Sequence, residues 1–402
     1  MQRIVVVGGS IAGFSAASEL RAKGFDGELR IVGEEHVRTY QRPPLSKDVL
    51  AGSVEADRTH WPPAHADDLG IDWLLGERAV GLDVEARTVE LASGEALAFD
   101  GLVIATGARP RPLPGQRPLP GIHVMRTLDD SLGLRADLEA DRSARVLVVG
   151  AGFIGAEVAA TCRRRGHDVT MVEPLAQPLE RVLGAELGRA VADVHRREGV
   201  DVRLGVGVSA VEGDDHVERV VLDDGAVVEA DQVIVGIGVI PNTEWLEGSG
   251  LPVENGVVCD ATTQVVPGIV ACGDVAAWDS PRYGRIRTEH WDNAVDMGRA
   301  AGRRLLAADG EAEVYDPIPW FWSDQYDIRI QMAGRPAPPE QGGQMAVIGG
   351  ELGDDRFAVL FGRDGQVTGA LGWNWPAKAV RYRMALEQGL AWDDALAAAA
   401  AQ

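Results

Sequence analysis

The sequence predicts an α/β chain: two doubly wound folds on parallel sheets, followed by a smaller α+β domain. Three observations lead there. "RIVVV" at 3–7 is a continuous apolar run that enters a glycine turn and an amphipathic helix, the order of a βαβ unit. "RVLVV" at 145–149 opens the same order again, so the chain contains a long internal repeat. From about Tyr315 the pattern changes to "PWFWSDQYDIRIQMAG", then several strands and a late helix.

In chain order, the first strand is followed by a helix to about Lys23 and a second strand at about 28–32, "ELRIV". Parallel strands joined by crossover helices belong to doubly wound sheets. In the repeat, "GAGFIG" is the turn, "AEVAATCRRRG" the helix and "DVTMV" the next strand. Short alternating stretches such as "RTVEL" and "VERVVL" read as small antiparallel inserts. "GARPRPLPGQRPLPG" at 107–121 is rich in Pro and Gly and makes a domain crossover; a second follows "DQVIVGIGVIPN". "EHWDNA" opens a helix of about 292–306, another helix covers about 376–388, and the tail "ALAAAAAQ" reads as a frayed helix end without function.

The 402 residues are 46% hydrophobic, enough for two or three domains with cores of their own. A formal net charge of −22 argues against nucleic acid or an anionic membrane as partner. No apolar run approaches a membrane span, and the chain enters its first strand with no signal peptide ahead of it. Cys162, Cys259 and Cys272 lie far apart and form no C-x-x-C pair. The expectation is a cytoplasmic protein with no disulfide framework and no metal site.

The chemistry lies in the turns. In "GAGFIG", Gly150 allows the tight turn, Gly152 lets a pyrophosphate approach the backbone and Gly155 lets helix and strand pack closely. The following helix offers its N-terminus to phosphate. Glu173, at the end of the next strand, is placed to bond a ribose 2′-hydroxyl and to repel a 2′-phosphate, which favours NADH over NADPH. The basic run Arg163–Arg165 reads as a solvated helix end. The first turn, "GGSIAG", has Gly8 and Gly13 at its outer positions, Ser10 in the middle, and Glu34 trailing at a strand end. Two such turns, each after a strand and each with a trailing acid, imply two nucleotides. "LVIATGARP", with Ala105, Thr106 and Gly107, and "GIVACGDVAAW", with Gly273 and Asp274, end strands in small residues that let the backbone touch a cofactor. They make the first nucleotide a flavin dinucleotide.

"RPPLSK" (42–47), "ATGARPRPLPG" (105–115), "HVMRTLDD" (123–130), "GAGFIGAEVA" (150–159), "GIGVIPN" (236–242), "CGDVA" (272–276), "EHWDNA" (289–294) and "PWFWSDQYD" (319–327) follow one another along nearly the whole chain. Together they resemble the FAD-dependent NADH:ferredoxin reductases of oxygenase systems, the putidaredoxin reductase, rubredoxin reductase and biphenyl dioxygenase ferredoxin reductase type. The resemblance implies two dinucleotide-binding (Rossmann-like) domains of the glutathione-reductase-like superfamily plus a C-terminal α+β domain. Residues 1–111 and 239–316 would form the FAD domain, 112–238 the NADH domain and 317–402 the last.

The resemblance also implies roles. FAD would be held by Gly8, Ser10, Ala12, Gly13, Glu34, Arg42, Lys47, Val80, Ala105, Thr106, Gly107, Arg126, Gly273, Asp274, His290, Trp291 and Trp322. NADH would be held by Gly150, Gly152, Phe153, Ile154, Gly155, Glu157, Glu173 and Gly238. The catalytic pair would be Lys47 and Glu157, with the lysine beside the flavin and the glutamate orienting it where nicotinamide stacks on flavin. The helix after "EHWDNA" would aim its N-terminus at the flavin. Departures are Ser10 for the usual glycine and Gln41 where an acid is common. Trp322, taken alone, reads as a core residue, and His290 equally as a structural histidine.

The implied reaction carries hydride from NADH to flavin N5 and then single electrons to an iron–sulfur ferredoxin, of the 2Fe-2S kind, that serves a monooxygenase or dioxygenase. The enzyme would be a monomer or weak dimer. Arg303, Arg304, Lys378, Arg381 and Arg383 are candidates for ferredoxin docking, although a solvated charged face is the preferred reading. Disulfide or peroxide reduction is disfavoured because no cysteine precedes Cys162. A redox-sensing or partner-binding flavoprotein with slow NADH oxidase activity remains the alternative.

Overall fold

The computed structural model describes residues 1–61, 69–308 and 310–401. The chain divides into two compact units: 1–41, 57–109 and 240–319 form the first, and 42–56, 110–239 and 320–402 the second.

The first unit is built on a six-stranded sheet in the order Gln264–Val266, Ile269–Ala271, Gly101–Ile104, Arg3–Val7, Glu28–Gly33, Asp72–Leu75. All its pairings are parallel except the first. Val5, Val6, Ile31, Leu102 and Val103 are fully buried, as expected of a sheet covered on both faces. The helices Ile11–Ala22 and Trp291–Leu306 pack against each other through a small-residue seam. A Cβ on Gly298 would lie 2.4 Å from the Ala12 carbonyl oxygen, and one on Gly302 2.8 Å from that of Ala16. Two inserts complete the unit: an antiparallel sheet of Ala79–Asp83, Thr88–Leu91 and Ala96–Ala98, and a mixed four-stranded sheet of Val253–Glu254, Gly256–Cys259, Ala276–Ser280 and Gly284–Arg287, whose central pairing is parallel.

The second unit repeats the pattern. Its parallel sheet runs Asp201–Leu204, Asp168–Glu173, Arg145–Val149, Gln232–Val235, Ile122–His123, with an antiparallel insert of Val208–Glu212, Arg219–Leu222 and Val227–Glu229. A five-stranded antiparallel sheet follows, in the order Trp320–Gln325, Ile328–Gly334, Gln366–Trp373, Phe357–Arg363, Gln344–Gly349, and carries the helix Pro376–Glu387.

The tail departs from the frayed end read from its alanines. Trp392–Ala400 is a helix whose Ala395 is fully buried, and the Trp392 amide donates to the Gly365 carbonyl at 2.9 Å. A Cβ on Gly362 would lie 2.3 Å from the Trp392 ring, so a missing side chain makes the seat for this indole. Gln402, the last residue of that tail, lies outside the described residues.

The "RTLDD" stretch opens the helix Leu128–Ala140 with a reciprocal cap. The Asp130 amide donates to Thr127 Oγ1 at 3.1 Å, and the Thr127 amide donates to Asp130 Oδ2 at 2.7 Å. Thr127→Ala is expected to cost about 1 kcal/mol, read as a lower urea midpoint at unchanged slope.

Candidate functional site

The two glycine turns share one geometry. Gly8 has φ +123° and Gly150 φ +95°, both in the region that side chains avoid. A Cβ on Gly13 would lie 1.9 Å from the Gly8 carbonyl oxygen, and one on Gly155 2.0 Å from that of Gly150. The outer glycines are therefore demanded by the fold. The middle ones are not. Gly152 has φ −72° and ψ −179°, and nothing lies within 4 Å of an added Cβ. Ser10 has φ −87° and ψ −169°, an ordinary extended conformation, and its hydroxyl makes no cap bond. Space at a position whose backbone needs no glycine is what close approach of a pyrophosphate requires, so the turn at Gly152 fits a dinucleotide, and the first turn shares its backbone conformation.

Around the first turn, the Thr39 hydroxyl donates to the Gly9 carbonyl at 2.8 Å, and Tyr40 Oη donates to Glu35. Glu34 is exposed beside them. Ala12 backs onto Gly273, where an added Cβ would lie 2.7 Å from the Ala12 Cβ. The "ATG" loop is locked by Asn242, a residue not singled out from the sequence although it closes "GIGVIPN". Thr106 Oγ1 donates to the Asn242 carbonyl at 2.7 Å, and the Asn242 amide side chain donates to the Thr106 carbonyl at 2.9 Å. Gly107, at φ +67°, accepts from the Asn242 backbone amide at 3.0 Å. Asp274 lies half-buried in a short 3₁₀ turn, Gly273–Val275, and Val80 is exposed on its strand. His290 caps the helix that starts at Trp291, and the edge of Trp61 meets the Trp291 ring at 5.7 Å.

Around the second turn, Glu173 does something its spacing did not reveal. Its buried carboxylate accepts the Ala151 amide at 2.8 Å and the Leu175 amide at 3.0 Å, bracing the turn. Phe153 packs edge-on against Phe321 at 4.5 Å, Ile154 is exposed, and the carbonyl of Gly238 (φ +97°) accepts from the Arg111 amide at 2.9 Å.

The "RPPLSK" segment belongs to this second unit and is tied down along its length. Arg42 donates to the Arg126 carbonyl at 2.5 Å, Ser131 Oγ to the Leu45 carbonyl at 2.7 Å, and Thr161 Oγ1 to the Ser46 carbonyl at 2.8 Å. Leu50 is fully buried with Leu134, Leu138 and Val158. These anchors deliver Lys47 to Glu157. Lys47 Nζ donates to Glu157 Oε2 at 2.6 Å and to the Pro43 carbonyl at 3.0 Å. Ser46 Oγ donates to the same carboxylate oxygen at 2.6 Å, and Ser323 Oγ donates to Oε1 at 2.7 Å. The side chains of Lys47 and Glu157 are 15% and 3% exposed, so their attraction is little screened. Neither serine was foreseen as part of this site.

Three sequence-based expectations need correction. Arg163–Arg165 is a solvated helix end only at Arg164, which is exposed and pairs with the exposed Asp327 at 2.6 Å; Arg163 donates to the Glu198 carbonyl at 2.8 Å, and Arg165 bonds the Leu50 carbonyl. Trp322 is half-buried and not core; the strand's inward residues are Phe321, Ser323 and Gln325. Arg303 and Arg304 are not a solvated face, because Arg303 pairs with Glu19 at 3.0 Å and Glu313 at 3.3 Å, while Arg304 bonds Thr262 at 3.1 Å. On the later helix, Lys378 and Arg383 lie over the rings of Trp375 and Trp320, and Arg381 is exposed.

Titration follows burial. Burial pushes the Cys162 and Cys272 thiols up to about 12 and raises that of Cys259 as well, so none offers a thiolate at neutral pH. Burial pushes the fully enclosed His195 imidazole down to about 4, against a weaker opposing effect of its bond to Gln325. Its stabilising contribution is complete above the ordinary histidine value and is lost as pH falls from about 6.5 through about 4, up to roughly 3 kcal/mol. Urea midpoints at pH 7 and pH 4.5 are expected to fall more steeply in the wild type than in His195→Gln.

Among the described residues, no helix is long and apolar enough to cross a membrane. Residues 2–298 match the family described as pyridine nucleotide-disulphide oxidoreductase, and residues 320–402 match the reductase C-terminal family. The chain is 39% identical to rhodocoxin reductase of Rhodococcus erythropolis over 363 residues, 89% of this chain and 83% of that protein. It is 37% identical to putidaredoxin reductase of Pseudomonas putida over 369 residues, 89% and 85% of the two chains. The crystal structure of the covalent putidaredoxin reductase–putidaredoxin complex superposes with a TM-score of 0.89 at 34% identity, covering 95% of this chain and 92% of that one. With both family models matched along its length and relatives at this identity and coverage, the chain belongs to the pyridine nucleotide-disulphide oxidoreductase family, in its ferredoxin reductase branch.

Proposed function

We propose that this chain is an NADH-dependent ferredoxin reductase that carries FAD and supplies electrons to a monooxygenase or dioxygenase. Electrons enter as a hydride from NADH and leave singly to an iron–sulfur ferredoxin, chemistry that bound FAD supplies. The observation that carries the reading is the Lys47–Glu157 pair at 2.6 Å, sheltered from water and held by a segment anchored along its length.

The chain's own residues do the rest. The turn from Gly8 to Gly13 and the helix behind it would hold the flavin pyrophosphate, and Glu34, Ala105–Gly107, Gly273 and Asp274 would contact the remainder of that nucleotide. The helix that begins at Trp291 would offer its positive dipole end to the flavin, and Lys47 would add a positive charge that favours the electron-rich ring. Arg42, Val80, Arg126, His290 and Trp322 would be further contacts to FAD. The turn from Gly150 to Gly155 holds the pyrophosphate of NADH. Glu173 stays put because two backbone amides hold it, so an incoming 2′-phosphate would meet a carboxylate that cannot swing away. The thiols are too buried and too weakly acidic for disulfide exchange.

The partner we infer is a 2Fe-2S ferredoxin, the enzyme a monomer or weak dimer, and the compartment the cytoplasm. The test is reconstitution with ferredoxins encoded nearby, following cytochrome c reduction. Turnover that requires ferredoxin and is much faster with NADH than with NADPH is expected; turnover indifferent to ferredoxin would refute the assignment.

A further inference from the structure

The strand Trp320–Gln325 turns Phe321, Ser323 and Gln325 to its buried side. Phe321 is ordinary core. A serine and a glutamine beside it are not, because buried polar groups cost free energy unless bonded, and apolar residues would pack there more stably. Both are bonded, in sequence. Ser323 Oγ donates to Glu157 Oε1 at 2.7 Å, and Gln325 Nε2 donates to Ser323 Oγ at 3.2 Å. His195 Nε2 meets Gln325 Oε1 at 3.1 Å, and Tyr326 Oη meets His195 Nδ1 at 3.1 Å.

The direction of each bond is determined. A carbonyl oxygen can only accept, so His195 carries its proton on Nε2, and Nδ1 of the neutral ring accepts from the Tyr326 hydroxyl. The Gln325 amide then has its NH₂ toward Ser323, which leaves the serine proton for Glu157. Every donor points toward the carboxylate, and such chains polarise one another.

Tyr326 shows that the far end is held under strain. Its φ is +55°, left-handed for a bulky residue where glycine would suit this hairpin turn. Arg164 lies over its ring at 5.7 Å.

We propose that Tyr326, His195, Gln325 and Ser323 form a one-way hydrogen-bond relay that positions the Glu157 carboxylate and, through it, the Lys47 ammonium. The relay rests on the reading of Lys47 and Glu157 as the working pair. A glutamate's terminal torsion is soft. Here one oxygen is pinned by Ser323 and the other is shared by Ser46 and Lys47, so the carboxylate cannot rotate and the ammonium has one seat. These are positioning residues; none of them is assigned contact with either nucleotide.

The test uses the flavin-loaded protein and two readouts. Ser323→Ala is expected to slow flavin reduction at saturating NADH about tenfold, with NADH affinity little changed. Reductive methylation of Lys47, followed by mass spectrometry, should quicken about threefold as the seat loosens, and Ser323→Thr should restore both values. In a Lys47→Met/Glu157→Gln background, Ser323→Ala should change the reduction rate by less than about twofold. Wild-type Lys47 labelling in Ser323→Ala, or the same slowing in both backgrounds, would overturn the relay. A wild-type flavin that NADH does not reduce would instead refute the proposed function, while the labelling comparison would still decide the relay.

Discussion

Lys47→Met is expected to slow reduction of the flavin by NADH by 10- to 100-fold, the order seen when one preorganised charge or donor is removed from a reacting centre. The stem of the side chain is retained, so packing is largely preserved and the charge is what changes. Stability falls too, by about 3 kcal/mol, because the Glu157 carboxylate is left at 3% exposure with two hydroxyl donors and no counter-charge. The double variant Lys47→Met/Glu157→Gln separates the two effects. With both charges gone, no unpaired ion remains and stability should return to within about 1 kcal/mol of wild type. The rate should stay low, because the positive charge is still missing. Stopped-flow reduction and urea unfolding on the three proteins read both quantities. A double variant that regains the rate along with the stability would mean that the pair only holds the fold together.

Gly13→Ala should abolish flavin binding altogether. The new methyl would lie 1.9 Å from the Gly8 carbonyl oxygen and 3.0 Å from Val6 Cγ1, so helix and strand must part at the place where the phosphate-binding turn is made. Overpacking of this kind costs about 1–3 kcal/mol when neighbours can yield, and here the nearest neighbour is backbone. The purified variant should be colourless, with no absorbance near 450 nm. Ser10→Gly is the control: Ser10 has ordinary extended dihedrals, so glycine there relieves no strain, and a yellow protein is expected. Gly152→Ala should fold normally, since nothing lies within 4 Å of the new methyl, and should weaken NADH binding about tenfold by standing where the pyrophosphate approaches. Equal behaviour of Gly13→Ala and Gly152→Ala would contradict the division between glycines that build the turn and glycines that admit a ligand.

These particulars show where the sequence is legible. Apolar runs such as Arg3–Val7 and Arg145–Val149 announce buried parallel strands because both their faces are covered, and both strands sit at that position in their sheets. The outer glycines are legible for a related reason: the steric demand is local, between residues five apart in each turn. What stayed hidden depends on contacts distant in sequence. Arg165 reads as solvated until the Leu50 carbonyl appears beside it. Ser46, Ser323, Gln325 and His195 look like any polar residues on a strand or helix until the fold sets both serines on one buried carboxylate and links Gln325 and His195 in sequence behind Ser323. Spacing singles out Glu173 as a strand-end acid, but its bracing of Ala151 depends on how the chain curls after its strand.

The most direct measurement is anaerobic mixing of the purified protein with NADH while flavin absorbance is followed. The expected result is a yellow protein that bleaches within milliseconds with NADH and far more slowly with NADPH, and then recovers its colour on addition of an oxidised 2Fe-2S ferredoxin. A protein that binds no flavin, or a flavin spectrum that NADH leaves unchanged, would contradict the central claim.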